Sequence, residues 1–185
     1  MGLLIEDGKG RGYTAEVNRN NQLKISSAAY TIEHYINHQK GRAFTMSVEV
    51  SASADDACVI YIKNTSSIYD IVIEGMWIYV SGACEVYAKL NDDGTPTSTT
   101  NISPVNLNTS SGVSSEGDFY RGNNIGGLSG GDEIVRLKFT AETQTTYFNY
   151  DQDVILGNNG VHTIYVEPNG TNIIVSLPFN YHRTD

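Results

Sequence analysis

Three glycines alternate with two cations near the start of the chain, in the stretch Gly8-Lys9-Gly10-Arg11-Gly12. A dinucleotide-binding loop has the spacing Gly-x-Gly-x-x-Gly and opens a helix whose N-terminal amides hold the pyrophosphate. Here the third glycine comes one residue early, and an alternating, strand-like run follows. A P-loop would need Ser or Thr directly after Gly-Lys, and this chain has glycine there. The stretch therefore predicts a pliable turn or arm rather than a nucleotide site.

Two histidines stand four residues apart, at the spacing that places metal ligands on one face of a helix. The order of the metalloprotease motif is not met, because Tyr35 follows His34 where the motif has Glu, before His38. A third ligand would have to come from His162 or His182, which spacing does not establish. We interpret the pair as polar residues of an amphipathic helix, and predict no metal site and no cofactor.

Carboxylates cluster at four places along the chain: Asp55-Asp56, Asp92-Asp93, Asp132-Glu133 and Asp151/Asp153. A glycosidase needs two acids on either side of a cleft, whereas these pairs stand in turn-rich stretches where Asp caps the backbone. Calcium held by loop oxygens of Asp92, Asp93, Asp151 or Asp153 is an alternative. The sequence predicts a protein that is not an enzyme.

Aromatic residues are the main candidates for contact with a partner. Several of the 12 tyrosines and the single tryptophan follow strand patterns, where aromatic side chains fit the pleat: Tyr61, Trp77, Tyr79, Tyr87 and Tyr165. The predicted partner interface consists of loop aromatics, one neighbouring arginine and residues of the arm: Phe119, Tyr120, Arg121, Tyr147, Tyr150, Lys9, Arg11 and Tyr13. The two arm cations suit an acidic neighbouring surface. A sugar-binding face is the alternative for the aromatics.

The composition limits the class of protein. The 185 residues fit one ordinary domain with an arm or long loops. The formal charge of −9 opposes binding to nucleic acid, because phosphates would meet like charge. No run reaches the roughly 18 apolar residues of a membrane span, and the first residues turn acidic too soon for a signal peptide. We expect a soluble cytoplasmic product, with Cys58 and Cys84 as buried free thiols.

Alternation of apolar and polar residues predicts an all-β fold. Residues 13–25 form a hairpin with a polar tip, and 28–39 form one short helix that ends before Gly41. Eight strands follow at the spacing of a sandwich with two four-stranded sheets: 43–50, 57–63, 69–80, 84–90, 134–140, 153–156, 161–167 and 172–181. The stretch 91–131 predicts long ordered loops. We divide the chain into an arm, hairpin and helix at 1–41 and a β-sandwich at 42–185.

Five segments resemble a family of tailed-bacteriophage virion proteins, the capsid decoration or cement proteins. The opening LIEDGKGRGYTAEVNRNNQLKI is similar to their N-terminal signature. Further matches are VIYIKN at 59–64, SPVNLN at 103–108, GGLSGGDEIVRL at 126–137 and ILGNNGVHTIYVEPNGTNIIVSLPFNYH at 155–182. These segments span nearly the whole chain in the expected order.

The resemblance implies a jelly-roll sandwich that associates as a homotrimer on the outer capsid surface of a virion. Such a protein is made in the host bacterial cytoplasm and stabilises the head by bridging major capsid proteins. The arm at 1–26 and the long loops would bind the shell. The alternative is a tail or fibre module that binds host glycan through Tyr120, Tyr147 or Tyr150.

Overall fold

The computed structural model describes residues 16–17, 23–24, 35–140, 143–168 and 170–184. The chain divides into two units, Met1–Thr31 and Ile32–Asp185. In the first unit, strand β1 (Glu16–Val17) pairs antiparallel with strand β2 (Leu23–Lys24). Both residue pairs, Glu16 with Lys24 and Val17 with Leu23, lie within the stretch 13–25 that the sequence predicts as a hairpin. The remainder of the arm, with Lys9, Arg11 and Tyr13, lies outside the described residues.

The second unit is built from β-strands, because its sequence alternates between side chains that face a core and side chains that face solvent. The described strands are β3 (Ala43–Ser51), β4 (Ala57–Asn64), β5 (Tyr69–Val80), β6 (Cys84–Thr97), β7 (Thr100–Asn101), β8 (Val105–Asn106), β9 (Gly117–Arg121), β10 (Gly126–Phe139), β11 (Gln144–Leu156), β12 (Val161–Glu167) and β13 (Asn172–Arg183). They form a six-stranded sheet, β10-β6-β12-β4-β9-β7, and a five-stranded sheet, β11-β5-β13-β3-β8. Every described pairing is antiparallel.

The two sheets pack face to face around one apolar core, which confirms the predicted all-β sandwich. Strand β3 shows the pattern, with Phe44, Met46 and Val48 buried and the residues between them facing outward. Aromatic rings of three strands meet in this core: Phe44 lies 5.7 Å from Phe179, and Phe119 lies 5.3 Å from Phe179, centroid to centroid. Contacts of this kind join the sheets into one hydrophobic core.

A buried asparagine connects the turns at one end of the sandwich. The Asn64 side chain donates to the carbonyl oxygens of Tyr69, at 2.8 Å, and Leu156, at 2.7 Å, and accepts from the Ser66 amide, at 2.9 Å. The backbone N–H of Asn64 donates to the carbonyl oxygen of Gly160. One side chain thereby connects the β4–β5 and β11–β12 turns, because it hydrogen-bonds to backbone groups of both.

Three expectations need correction. The sheets have six and five strands rather than four each. The predicted helix 28–39 is wrong within the described residues, where only a π-helical turn, Ile36–Lys40, precedes Gly41; residues 28–34 lie outside them. The stretch 91–131 is ordered, as expected, but much of it is strand: β6 continues to Thr97 and β10 begins at Gly126.

None of the described helical residues forms a helix long and apolar enough to span a membrane.

Candidate interaction surfaces

The described part of the chain includes five of the eight predicted interface residues, and it does not gather them on one surface. Phe119 and Tyr150 are not the loop residues that the sequence predicted, because both lie on strands, and both side chains are buried. Phe119 packs in the inter-sheet core. Tyr150 lies where β11 slips its register against β5, between Asn149 and Val154, and its hydroxyl bonds to His162 Nε2 at 2.9 Å.

Tyr120 and Arg121 lie together on β9 of the six-stranded sheet. The half-buried Tyr120 ring packs 5.9 Å from the buried Tyr61 ring on the neighbouring strand. Arg121 is exposed and donates to the carbonyl oxygen of Glu49, at 3.2 Å. Tyr120 therefore has a structural partner, whereas the guanidinium of Arg121 lies at the surface.

Tyr147 is exposed and belongs to an aromatic pair that the sequence did not predict. It lies on β11 directly opposite Trp77 on β5, and the two ring centroids are 4.8 Å apart with planes inclined at 42°. Trp77 is 52% exposed and Tyr147 is 43% exposed. The neighbours of Trp77 in the chain, Met76 and Ile78, point into the core and are fully buried. Alternation along β5 therefore turns the tryptophan ring outward.

The Tyr147 ring lies across a glycine. A β-carbon built on Gly75 would come within 2.8 Å of Tyr147 Oη and 3.0 Å of Cζ, so the ring occupies the space that a side chain would need. The ring covers the glycine backbone of the strand, and Gly75 is buried beneath it. We call Trp77 and Tyr147 the aromatic platform: two adjacent rings on the outer face of the five-stranded sheet, one of which is held between its neighbour and a glycine.

The outer face of the six-stranded sheet is aromatic too, but it is covered. Tyr87 and Tyr165 stack at 5.0 Å with planes 7° apart, and both are buried. Arg136 lies 4.2 Å from the Tyr87 ring and Lys89 Nζ lies 4.7 Å from the Tyr165 ring. Arg136 also pairs with three carboxylates, at 2.7–3.7 Å: Glu133, Glu85 and Glu167. The two sheets therefore differ within the described part of the chain, because both rings of the pair Trp77–Tyr147 on the five-stranded sheet are exposed.

Beside that stack lies a buried carboxylate. Asp92 is 1% exposed, and its Oδ2 accepts from Thr163 Oγ1 at 3.1 Å and from the Tyr165 hydroxyl. Burial, with the Asp92 charge nearby, raises the pKa of the Cys58 thiol to about 12, and burial raises that of Cys84 to about 11. Both thiols are free and buried, which confirms the prediction from sequence.

His162 is fully buried on β12. Desolvation lowers its pKa to about 4, since burial disfavours the charged imidazolium. Its Nδ1 has no hydrogen-bond partner within the described ranges. Burial also raises the pKa of the Tyr150 phenol that bonds to Nε2. The imidazole is therefore neutral at ordinary pH and belongs to the interior.

Among the residues that the structure describes, no group of three His, Cys, Asp or Glu side chains is placed to hold a metal ion. The candidate ligand His34 and the side chain of Asp151 lie outside those residues.

One catalytic pattern in the sequence has the wrong structural context. Residues 127–131 spell Gly-x-Ser-x-Gly around Ser129, but they lie inside β10 and pair antiparallel with β6. A nucleophile elbow instead needs a sharp turn from a strand into a helix.

Aliphatic side chains are exposed at opposite edges of the sandwich. Val105 (62% exposed) and Leu107 (49% exposed) lie at β8, the last strand of the five-stranded sheet on one side. Ile155 on β11 (61% exposed) and Ile134 on β10 (39% exposed) lie on the end strands of the two sheets on the other side. Each edge thus carries two exposed aliphatic side chains.

Neither a protein-family model, nor a curated protein, nor a solved structure matches this chain.

Proposed function

We propose that the chain is a non-enzymatic structural protein of a tailed-phage virion: a jelly-roll capsid decoration or cement protein that acts as a homotrimer on the outer head surface. The observation that carries the proposal is the strand order. The eight long strands cross between the sheets at every connection except that from β6 to β10, and they give the neighbours β10-β6-β12-β4 and β11-β5-β13-β3. This order fits a jelly roll, an architecture used in viral capsid and lectin domains.

The segments that carry the family resemblance also have structural roles. VIYIKN ends at Asn64, the residue that connects two turns. In SPVNLN, the side chain of Asn106 donates to the carbonyls of Gly41 and Val113, at 2.8 and 2.9 Å, and Asn108 donates to the carbonyl of Asn37. The resemblance therefore falls on residues that determine the fold, and this supports a shared architecture.

The two apolar edges supply a mechanism for bridging. Val105 and Leu107 lie four strands away from Ile155 within the five-stranded sheet, a separation of about 19 Å at the usual strand spacing. A β-sandwich domain with contact surfaces on opposite edges can touch two capsid subunits at once. Joining two weak contacts in one rigid body raises the overall strength of attachment without any catalytic step.

Purified virions provide the test. Particles from a host that carries the gene are labelled with gold-coupled antibody against the chain and viewed by electron microscopy. We expect label over the heads. Label on tails alone, or absence of the chain from purified particles, would refute the assignment to the head.

Heads produced without the gene test the contact surfaces by rebinding of added protein. Val105→Asp and Ile155→Asp should each lower occupancy, because an ionised carboxylate would have to be desolvated in the contact. Thr95→Asp, at an exposed position on β6, is the matched control and should bind as the unmodified chain does. A chain that lacks residues 1–12 tests the arm, and equal occupancy would contradict a role for it.

A further inference from the structure

We propose that the aromatic platform, Trp77 with Tyr147, binds a neutral saccharide. The proposal does not depend on attachment to a capsid, since Tyr147 and Ile155, although both lie on β11, are eight residues apart along that strand. It also differs from the sugar-binding alternative based on sequence. Of the three tyrosines in that alternative, Tyr150 is buried and Tyr120 packs on Tyr61, while Tyr147 is exposed beside a tryptophan.

The geometry of the platform suits a sugar ring. One face of a pyranose carries axial C–H groups and is apolar, so it packs on an aromatic face while the hydroxyl groups at its rim stay hydrated. The Tyr147 ring covers Gly75 and keeps its outer face open, and the adjacent Trp77 ring is half exposed. The strand pairing and the missing glycine side chain hold the rings in place before any ligand arrives, and this lowers the entropy lost on binding.

Hydroxyl groups continue the platform across the sheet. Ser176 on β13 lies opposite Trp77 on one side and opposite Ser47 on the other, and the two serine Oγ atoms are 2.9 Å apart. The four residues Ser47, Ser176, Trp77 and Tyr147 therefore form one row across four strands, about 14 Å long. Such a row offers stacking at one end and hydrogen bonds at the other, with room for more than one sugar ring.

The charges around the row select the class of saccharide. The row itself holds no charged residue. The next register row, Glu49, Ile174, Tyr79 and Thr145, adds a carboxylate on β3, and Arg121 bonds to the Glu49 carbonyl oxygen at its far end, two strands away from Trp77. Residues 35–185 carry 17 Asp and Glu against 8 Lys and Arg. An acidic sugar or a phosphate would find no counter-charge on the platform and would be repelled by the molecule as a whole. A neutral polysaccharide is therefore the fitting ligand.

A protein partner fits this surface less well. Stable protein interfaces bury roughly 800 Å² on each side and have an apolar centre. Here the rings are bordered by serine hydroxyls along the row and by the half-buried Ile174 and Tyr79 in the next row. The most exposed aliphatic residues, Val105, Ile155 and Ile68, lie elsewhere. A cross-strand aromatic pair also stabilises its sheet, so the test needs a measurement that stability alone would not change.

Trp77 is the only tryptophan in the chain, so its fluorescence reports on the platform directly. The full-length protein is titrated with soluble neutral polysaccharides (dextran, mannan, xylan and galactan) and with two acidic ones (alginate and polygalacturonate). We expect at least one neutral polymer to change the Trp77 emission in a saturable way, and neither acidic polymer to do so. The proposal is overturned when no neutral polymer binds, or when the acidic ones bind more tightly.

Three variants localise the binding. Tyr147→Ala should weaken it about 3- to 10-fold, the equivalent of one lost aromatic contact. Trp77→Phe has no tryptophan signal, so its binding is measured by its retardation in gels that contain the polymer. We expect this variant to keep part of the affinity. Tyr120→Ala, the same substitution on the other sheet, is the matched control and should bind as the unmodified chain does. Equal binding by Tyr147→Ala, or an equal loss in Tyr120→Ala, would refute the site.

A second copy of the chain on the platform would also refute it. Acrylamide quenching of Trp77 should not depend on protein concentration, and Trp77→Phe should sediment like the unmodified protein. The platform would be assigned to self-association by two results together: quenching of Trp77 that decreases as the protein concentration rises, and a sedimenting particle for Trp77→Phe that is smaller than that of the unmodified protein.

Discussion

Lowering the pH from 7.5 to 5 should destabilise the sandwich by about 2 kcal/mol through a single side chain, His162. The imidazole is fully buried, and its Nε2 bonds to Tyr150, a phenol that burial keeps protonated. A proton on this ring would place a charge in the apolar interior. The folded protein therefore resists protonation of His162, while the unfolded chain accepts the proton readily.

The sign and size follow from the two pKa values. The pKa of His162 is about 4 in the folded protein against 6.5 for an unperturbed histidine. Between these values the unfolded chain binds more protons, so the free energy of unfolding falls as the pH falls. The contribution of His162 to the free energy of unfolding is fully present above pH 6.5. Below that pH it is lost at up to about 1.4 kcal/mol per pH unit. Below pH 4 the loss levels off at a total of about 3 kcal/mol.

Urea unfolding followed by Trp77 fluorescence at pH 7.5, 6.5, 5.5 and 5 is the assay. With a slope of about 2 kcal/mol per M, the midpoint should fall by about 1 M over this range. His162→Gln keeps an amide near the Nε2 position for the Tyr150 bond but cannot titrate, so it removes this contribution and leaves that of every other group. The same pH dependence in the variant and the unmodified chain would refute the assignment to His162.

The remaining predictions concern packing. Asn64→Ala should cost about 3 kcal/mol or more, since it leaves two buried carbonyls and an amide unpaired; a loss below 1 kcal/mol in chemical unfolding would contradict the turn-connecting role. Gly75→Ala should cost about 1–3 kcal/mol and change the tryptophan emission, because the new methyl group overlaps the Phe148 carbonyl and the overlying tyrosine ring; unchanged emission and stability would contradict this. Cys58 and Cys84 should react with a thiol reagent only as fast as the protein unfolds, as burial raises both pKa values; rapid labelling of the native protein would disprove this.

The sequence predicted the strands where alternation is strong. All eight predicted strands overlap observed ones, since a residue such as Ile164 or Val175 has a core to face. The sequence of 91–131 predicts loops, because the far ends of β6 and β10 pair through backbone groups with little apolar burial. The pair Gly130-Gly131 is typical of a turn in a sequence. In the structure both glycines lie within β10, where their φ values are positive and β10 stays paired with β6.

The surface was harder to predict than the fold. A tryptophan between Met76 and Ile78 looks buried in the sequence, and only the sheet shows that Trp77 faces the opposite side from its neighbours. Tyr150 is the opposite case, a residue that looks exposed in the sequence and is buried in the structure. Its polar neighbours suggest a loop, but the register slip in β11 turns its ring inward beside His162. Periodicity gives the spacing of side chains, whereas exposure depends on which face another layer covers.

The two sheets end on one side in long strands, β10 and β11, whose outer backbone groups have no strand beside them in the described structure. Edges of this kind can recruit strands from other molecules. Here β10 carries three glycines at positive φ and several charges, including Asp132 and Lys138, and β11 departs from its register between Asn149 and Val154. An incoming strand could therefore follow neither edge in regular register over its full length. Copies crowded on a shared surface would therefore meet through side chains and resist growing into fibrils.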